Sequence, residues 1–207
     1  MNLDATLDGF AAFLALDPQR LKAYAAEDRL GGFNHDSRLS MFPSGSLWAV
    51  EGQTLYALIR ALRPRSILEL GVHRGASTAH LRTAVRCNEY GVVRSVDMWE
   101  GAGDLIPADL AGYGTLTYAH ALPYIDALPD NSIEFAFEDL CHGEDEVYDV
   151  ATALLPKLRA GAVVAHHDSE HPTAGDKIKA GLRRAGVEFL SLRADPSDCG
   201  LAVWRNV

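Results

Sequence analysis

From about residue 47 onward, short apolar runs alternate with stretches of helical periodicity, and this alternation leaves the chain few possible architectures. The runs are Ser66–Leu70, Val92–Val96, Leu116–Tyr118, Ile133–Phe137 and Ala162–Ala165. Helical segments stand before and between them: Leu47–Leu62, Ser77–Cys87, Pro123–Leu128 and Val147–Leu158, with Lys177–Ala185 after the fifth run. Strands separated by helices imply a parallel sheet with helices on both faces. The last two runs, Val187–Leu192 and Leu201–Trp204, are parted only by the turn-forming Asp195-Pro196-Ser197-Asp198, which predicts an antiparallel hairpin. Trp99–Gly114 reads as irregular. The expectation is an α/β fold, a mostly parallel seven-stranded Rossmann-like sheet closed by that hairpin.

Ahead of the alternation, Leu7, Phe10, Phe13 and Leu14 recur at helical spacing, and Pro18 opens a second helix through Leu21 and Tyr24. Gly31–Ser46, rich in Gly, Asn, Ser and Pro, reads as a loop, either linker or lid. Residues 1–46 are therefore expected to act as a substrate lid or a dimer contact, and residues 47–207 as the ligand-binding domain. A homo-oligomer through the amphipathic N-terminal helices is compatible with this.

A formal net charge of −9 over 207 residues, with no basic stripe, argues against nucleic acid and favours a small-molecule substrate. Cys87, Cys141 and Cys199 are sparse and unpaired in spacing, as in a reducing compartment. No signal-peptide pattern and no bilayer-length apolar run is visible, so a cytoplasmic protein without a membrane partner is expected.

Ligands of doubly wound sheets bind beyond the carboxyl ends of the strands. Gly71 and Gly75 follow the first such end, where glycine admits close backbone approach and positive φ. Asp97 ends the second strand, where a carboxylate can take both ribose hydroxyls of an adenosine. A dinucleotide fingerprint wants glycine two residues after Gly71, and this chain has His73. An adenosine without pyrophosphate is the better match.

The stretch Ile67-Leu68-Glu69-Leu70-Gly71-Val72-His73-Arg74-Gly75-Ala76-Ser77-Thr78 resembles motif I of the class I methyltransferases, in the form used by metal-dependent catechol and caffeoyl-CoA O-methyltransferases. The resemblance continues through Ser95-Val96-Asp97, His120-Ala121-Leu122-Pro123, Phe135–Asp139 and Leu155–Asp168. It implies S-adenosylmethionine (SAM) as cofactor. Glu69, Gly71 and Ser77 would hold its amino-acid part, Asp97 its ribose, and Met98 and Ala121 would border its adenine.

Asp139 closes the fourth strand and His167-Asp168 the fifth, so adjacent strands would gather them above the sheet. Two carboxylates and an imidazole suit a divalent cation, Mg²⁺ or Mn²⁺, that holds acceptor oxygens and acidifies a hydroxyl. His142, a group that titrates near neutrality, is the candidate base. Asp139-Leu140-Cys141-His142 is similar to the Asp-x-x-His of macrolide-sugar O-methyltransferases, where the catechol enzymes place a lysine. The implied reaction is methyl transfer to a small-molecule hydroxyl, with His142 and Asp139 catalytic. Alternatives are a SAM-binding regulatory protein, an oxidising metalloenzyme on the same scaffold, or a zinc hydrolase using His142, His166, His167 and His171.

Overall fold

Strands buried on both faces are largely apolar, and any polar member needs partners, a condition that fixes the centre of the sheet. In the computed structural model, which describes residues 2–28, 30, 47–140, 142–196 and 198–207, β1 (Ser66–Leu70) keeps Ile67 through Leu70 fully buried. The Gly31–Ser46 loop with His35, together with Cys141 and Ser197, lies outside the described residues. Helices α1 (Leu3–Leu14), α2 (Pro18–Glu27) and α3 (Ala49–Leu62) precede β1. After it come α4 (Ala76–Asn88), β2 (Val92–Asp97), β3 (Gly114–Tyr118), α5 (Ala121–Asp126) and β4 (Ile133–Glu138). The chain ends with α6 (Glu144–Leu154), β5 (Leu158–His166), α7 (Gly175–Arg184), β6 (Phe189–Leu192) and β7 (Leu201–Arg205).

The seven strands lie in the order β3-β2-β1-β4-β5-β7-β6. Strands β1 to β5 pair in parallel, and β7 is antiparallel to both of its neighbours. The hairpin expected at the C-terminus is present, but β7 is inserted between β5 and β6. The reason is burial: Leu201, Ala202, Val203 and Trp204 are at most 2% exposed, which only an interior strand allows, whereas β6 is half-buried and takes the edge. Helix α6 stops at Leu154, short of the expected Leu158, because Pro156 cannot continue it; a 3-10 turn over Leu155–Lys157 follows. Strand β5 consequently begins earlier than the expected Ala162.

One core cluster packs α1 to α4 on the sheet through Leu7, Phe10, Leu14, Leu55, Ile59 and Phe137. The other packs α5 to α7 through Leu70, Val150, Leu154, Ile178 and Trp204. The apolar faces of α1 and α2 are thus used within the chain. Among the described residues, no helix is long and apolar enough to cross a membrane. The register sets Leu70 beside Val96 and Glu138, and Glu138 beside His166. The carboxyl ends of β2, β1, β4 and β5 therefore form one rim, and the strand order reverses at β1, the crevice where such sheets bind ligands.

Candidate active site

The loop after β1 needs glycine for a specific reason. Gly71 has φ +86°, and a Cβ there would lie 2.3 Å from the Asp139 carbonyl oxygen. This close approach joins the loop after β1 to the end of β4. Gly75, at φ +103°, is the N-cap of α4. Asp97 braces the same loop: the Val72 and His73 amides donate to its Oδ2 at 2.8 and 2.9 Å, and the Trp99 amide donates to Oδ1 at 2.9 Å. A carboxylate has about four acceptor sites, so a ligand hydroxyl can still be accommodated.

Glu69 and Ser77, expected to hold the amino-acid part of the cofactor, are bonded to each other beneath the loop. Glu69 is fully buried and accepts from Ser77 Oγ at 2.6 Å, Thr78 Oγ1 at 2.8 Å and Ser95 Oγ at 2.6 Å. Burial pushes its carboxyl above the usual range, against those three donors. The physical reason is strand parity: Glu69 shares the Ile67 face of β1, which α4 covers. It supports the loop from beneath. Met98 and Ala121 line a largely apolar cavity of about 410 Å³ at the ends of β2 to β4, with Ala119, His120, Leu140 and Val150.

The second cluster sits at the ends of β4 and β5. His142, half-exposed, places Nε2 in direct contact with Asp168 Oδ2. That contact raises the imidazole above its ordinary 6.5, despite partial burial. Burial alone would push Asp168 up, but the bond from His142 and the charge of His167 hold it at about 2. Asp139 goes the other way, raised by burial. Two neighbouring carboxyls are thus driven apart, the pattern of groups given different roles. Asp168 also carries φ +59°. Strain of this kind gathers at functional sites.

His167, expected among the metal ligands, is 7% exposed and has both ring nitrogens engaged by carboxylates. Nε2 meets Glu51 Oε2 at 2.8 Å, and Nδ1 faces Asp139 Oδ1 at 3.2 Å and Asp168 Oδ1 at 3.4 Å. Burial opposes its charge, yet Asp139 and Glu51 hold its pKa well above 6.5. Among the described residues, donor atoms of Asp139, His142 and Asp168 lie within 4.8 Å of one another. The imidazole-rich zinc alternative is not assembled: His166 is in the core, its Nδ1 2.8 Å from Glu138 and its Nε2 accepting from the Trp204 indole at 3.0 Å. Glu51 was missed by sequence reasoning altogether.

Known proteins share this domain and this fold. A family model described as a methyltransferase domain matches residues 68–169, from β1 to just past Asp168. The uncharacterized protein y4gI of Sinorhizobium fredii is 30% identical over 154 residues, which is 65% of this chain but only 16% of that protein. Among solved structures, the O-methyltransferase TomG of Streptomyces achromogenes, involved in tomaymycin synthesis and in complex with SAM, superposes with a TM-score of 0.63 at 19% identity, covering 98% of this chain and 96% of that one. The O-methyltransferase of Bacillus cereus, in complex with S-adenosylhomocysteine (SAH), gives 0.62 at 18%, covering 98% and 97%. The SAH-bound methyltransferase PaMTH1 of Podospora anserina gives 0.65 at 16%, covering 98% and 96%. Residues 68–169 thus match a methyltransferase domain, and the sheet shares the fold of solved methyltransferases over nearly its full length.

Proposed function

We propose that this protein transfers the methyl group of SAM to a hydroxyl of a small molecule. The observation that carries the reading is the His142–Asp168 contact, set on the same strand-end rim as the Gly71 loop and Asp97. The apolar cavity at Met98 and Ala121 takes the adenine, and Asp97 the ribose. SAM and SAH in the similar structures support this choice of cofactor.

In the reaction, the acceptor oxygen attacks the methyl carbon as the bond from carbon to sulfur breaks. The sulfonium leaves as a neutral thioether, and the hydroxyl proton passes to His142. Asp168 fixes the ring and stabilises the imidazolium that forms, the role a carboxylate plays behind any histidine base. Much of the rate comes from holding oxygen and methyl at near-attack distance. The charge balance of −9 favours a small-molecule acceptor over nucleic acid. Residues 1–46 contribute to the acceptor side in this reading, as lid or subunit contact.

The base must be neutral to accept a proton, and contact with Asp168 raises the pKa of His142. The rate is therefore expected to rise with pH through an apparent pKa above 6.5, and Asp168→Asn should move that limb down. His142→Ala should lower kcat by about 100-fold or more. Normal turnover in His142→Ala would refute the base.

A second reading is favoured by the convergence of Asp139, His142 and Asp168 within 4.8 Å. These donors fit a divalent cation that admits one imidazole beside carboxylates, Mn²⁺ more readily than Mg²⁺. Bound there, a cation would acidify the acceptor hydroxyl. Turnover that survives excess chelator assigns proton removal to His142 alone. Turnover lost to chelator and restored by Mn²⁺ assigns it to the cation.

A further inference from the structure

Glu51 does more than cap a helix. It is the third residue of α3 and accepts from the Trp48 amide at 2.9 Å, the reciprocal half of a capping box. That duty needs one oxygen at a surface turn. Yet Glu51 is 3% exposed, its Oε1 takes the Cys199 amide at 2.9 Å, and its Oε2 also meets His167 Nε2 at 2.8 Å. The opposite ring nitrogen of His167 faces Asp139 and Asp168. One imidazole thus stands between a carboxylate on α3 and the two carboxylates that end β4 and β5.

Burying such a pair carries a desolvation penalty that ion pairing seldom more than offsets, and apolar side chains would hold α3 to the sheet as well. Apolar side chains would not aim Asp139 and Asp168. Asp168 depends most on such aiming, because its positive φ persists only where its surroundings over-determine it. Its Oδ1 faces His167 while its Oδ2 holds His142, so the orientation of one ring is passed to the other through a single carboxylate.

We propose that Glu51 and His167 are a positioning pair: Glu51 fixes the His167 ring, and that ring fixes Asp139 and Asp168, and through Asp168 the orientation of His142. The proposal rests on the reading of His142–Asp168 as the proton-accepting pair. It makes α3 part of the active site, although α3 lies outside the matched methyltransferase region.

The test uses the full chain and the side-chain nitrogen NMR signals of His142, which need no methyl acceptor. Asp168→Asn is the reference, since it removes the direct partner. Glu51→Gln is expected to shift the His142 ring signals in the same direction as Asp168→Asn, although Glu51 lies on the far side of the His167 ring. Thermal unfolding should remain cooperative. Unchanged His142 signals in a cooperatively folded Glu51→Gln protein overturn the proposal. Should that variant fail to fold, His167→Gln gives the same reading, with shifted signals expected and unshifted ones overturning it. If Asp168→Asn itself leaves His142 unmoved, the His142–Asp168 pair is wrong, and the proposal falls with it.

Discussion

Replacing Gly71 with alanine is expected to destabilise the protein by about 3 kcal/mol, the sum of a left-handed backbone penalty and forced overpacking. The new Cβ would meet the Asp139 carbonyl oxygen at 2.3 Å and the carbonyl carbon at 2.7 Å. Both are backbone atoms at the end of a buried strand, so neither can swing aside. By contrast, a Cβ at Gly75 would meet Ile106 Cγ1 at 2.4 Å, part of a side chain that can turn. For a chain of this size, about 3 kcal/mol corresponds to a fall in Tm of roughly 6–12 °C. Thermal unfolding of Gly71→Ala and Gly75→Ala, measured side by side, should rank Gly71 as the worse. Because Gly71 abuts the end of β4, its variant should also displace Asp139, and cofactor affinity should fall with stability.

Asp97→Ala is expected to weaken SAH binding by at least about 100-fold, the loss of two charge-assisted hydrogen bonds to ribose hydroxyls. The same substitution leaves the Val72 and His73 amides without their acceptor. Val72 is 2% exposed, so water replaces that acceptor poorly and the loop should loosen. Asp97→Asn separates the effects. It keeps an oxygen for the amides and loses the charge, so stability should recover while affinity stays low. Equal SAH affinity in wild type and Asp97→Ala would remove Asp97 from the cofactor site.

The two sites differed in how far the sequence disclosed them. Local features were legible: Gly71, Gly75 and Asp97 mark strand ends, and Asp139 with His142 is a short motif whose members meet the same rim. Side-chain direction was the main loss, although strand parity carries it. Glu69 alternates with Leu68 and Leu70 and shares the face of Ile67, so α4 hydroxyls claim it. His166 and His167 differ in the same way. His166 continues the Val164 face toward Trp204, while His167 faces the α3 side and Phe137. Asp139, His142 and Asp168 come together at the strand ends, with His167 packed behind the two carboxylates. Glu51 could not have been found from spacing, because it joins His167 from 116 positions away and its only local signal is a helix cap. The place of β7 was hidden for a related reason: a hairpin motif does not say which of its strands pairs with the sheet, and only the burial of Leu201–Trp204 decides it.

Calorimetric titration of the full chain with SAH, with NAD as the control ligand, tests the central claim most directly. One saturable site for SAH, lost in Asp97→Ala, and no heat of binding for NAD are expected. Binding of NAD at the Asp97 crevice, or no binding of SAH by the folded wild-type protein, would contradict it.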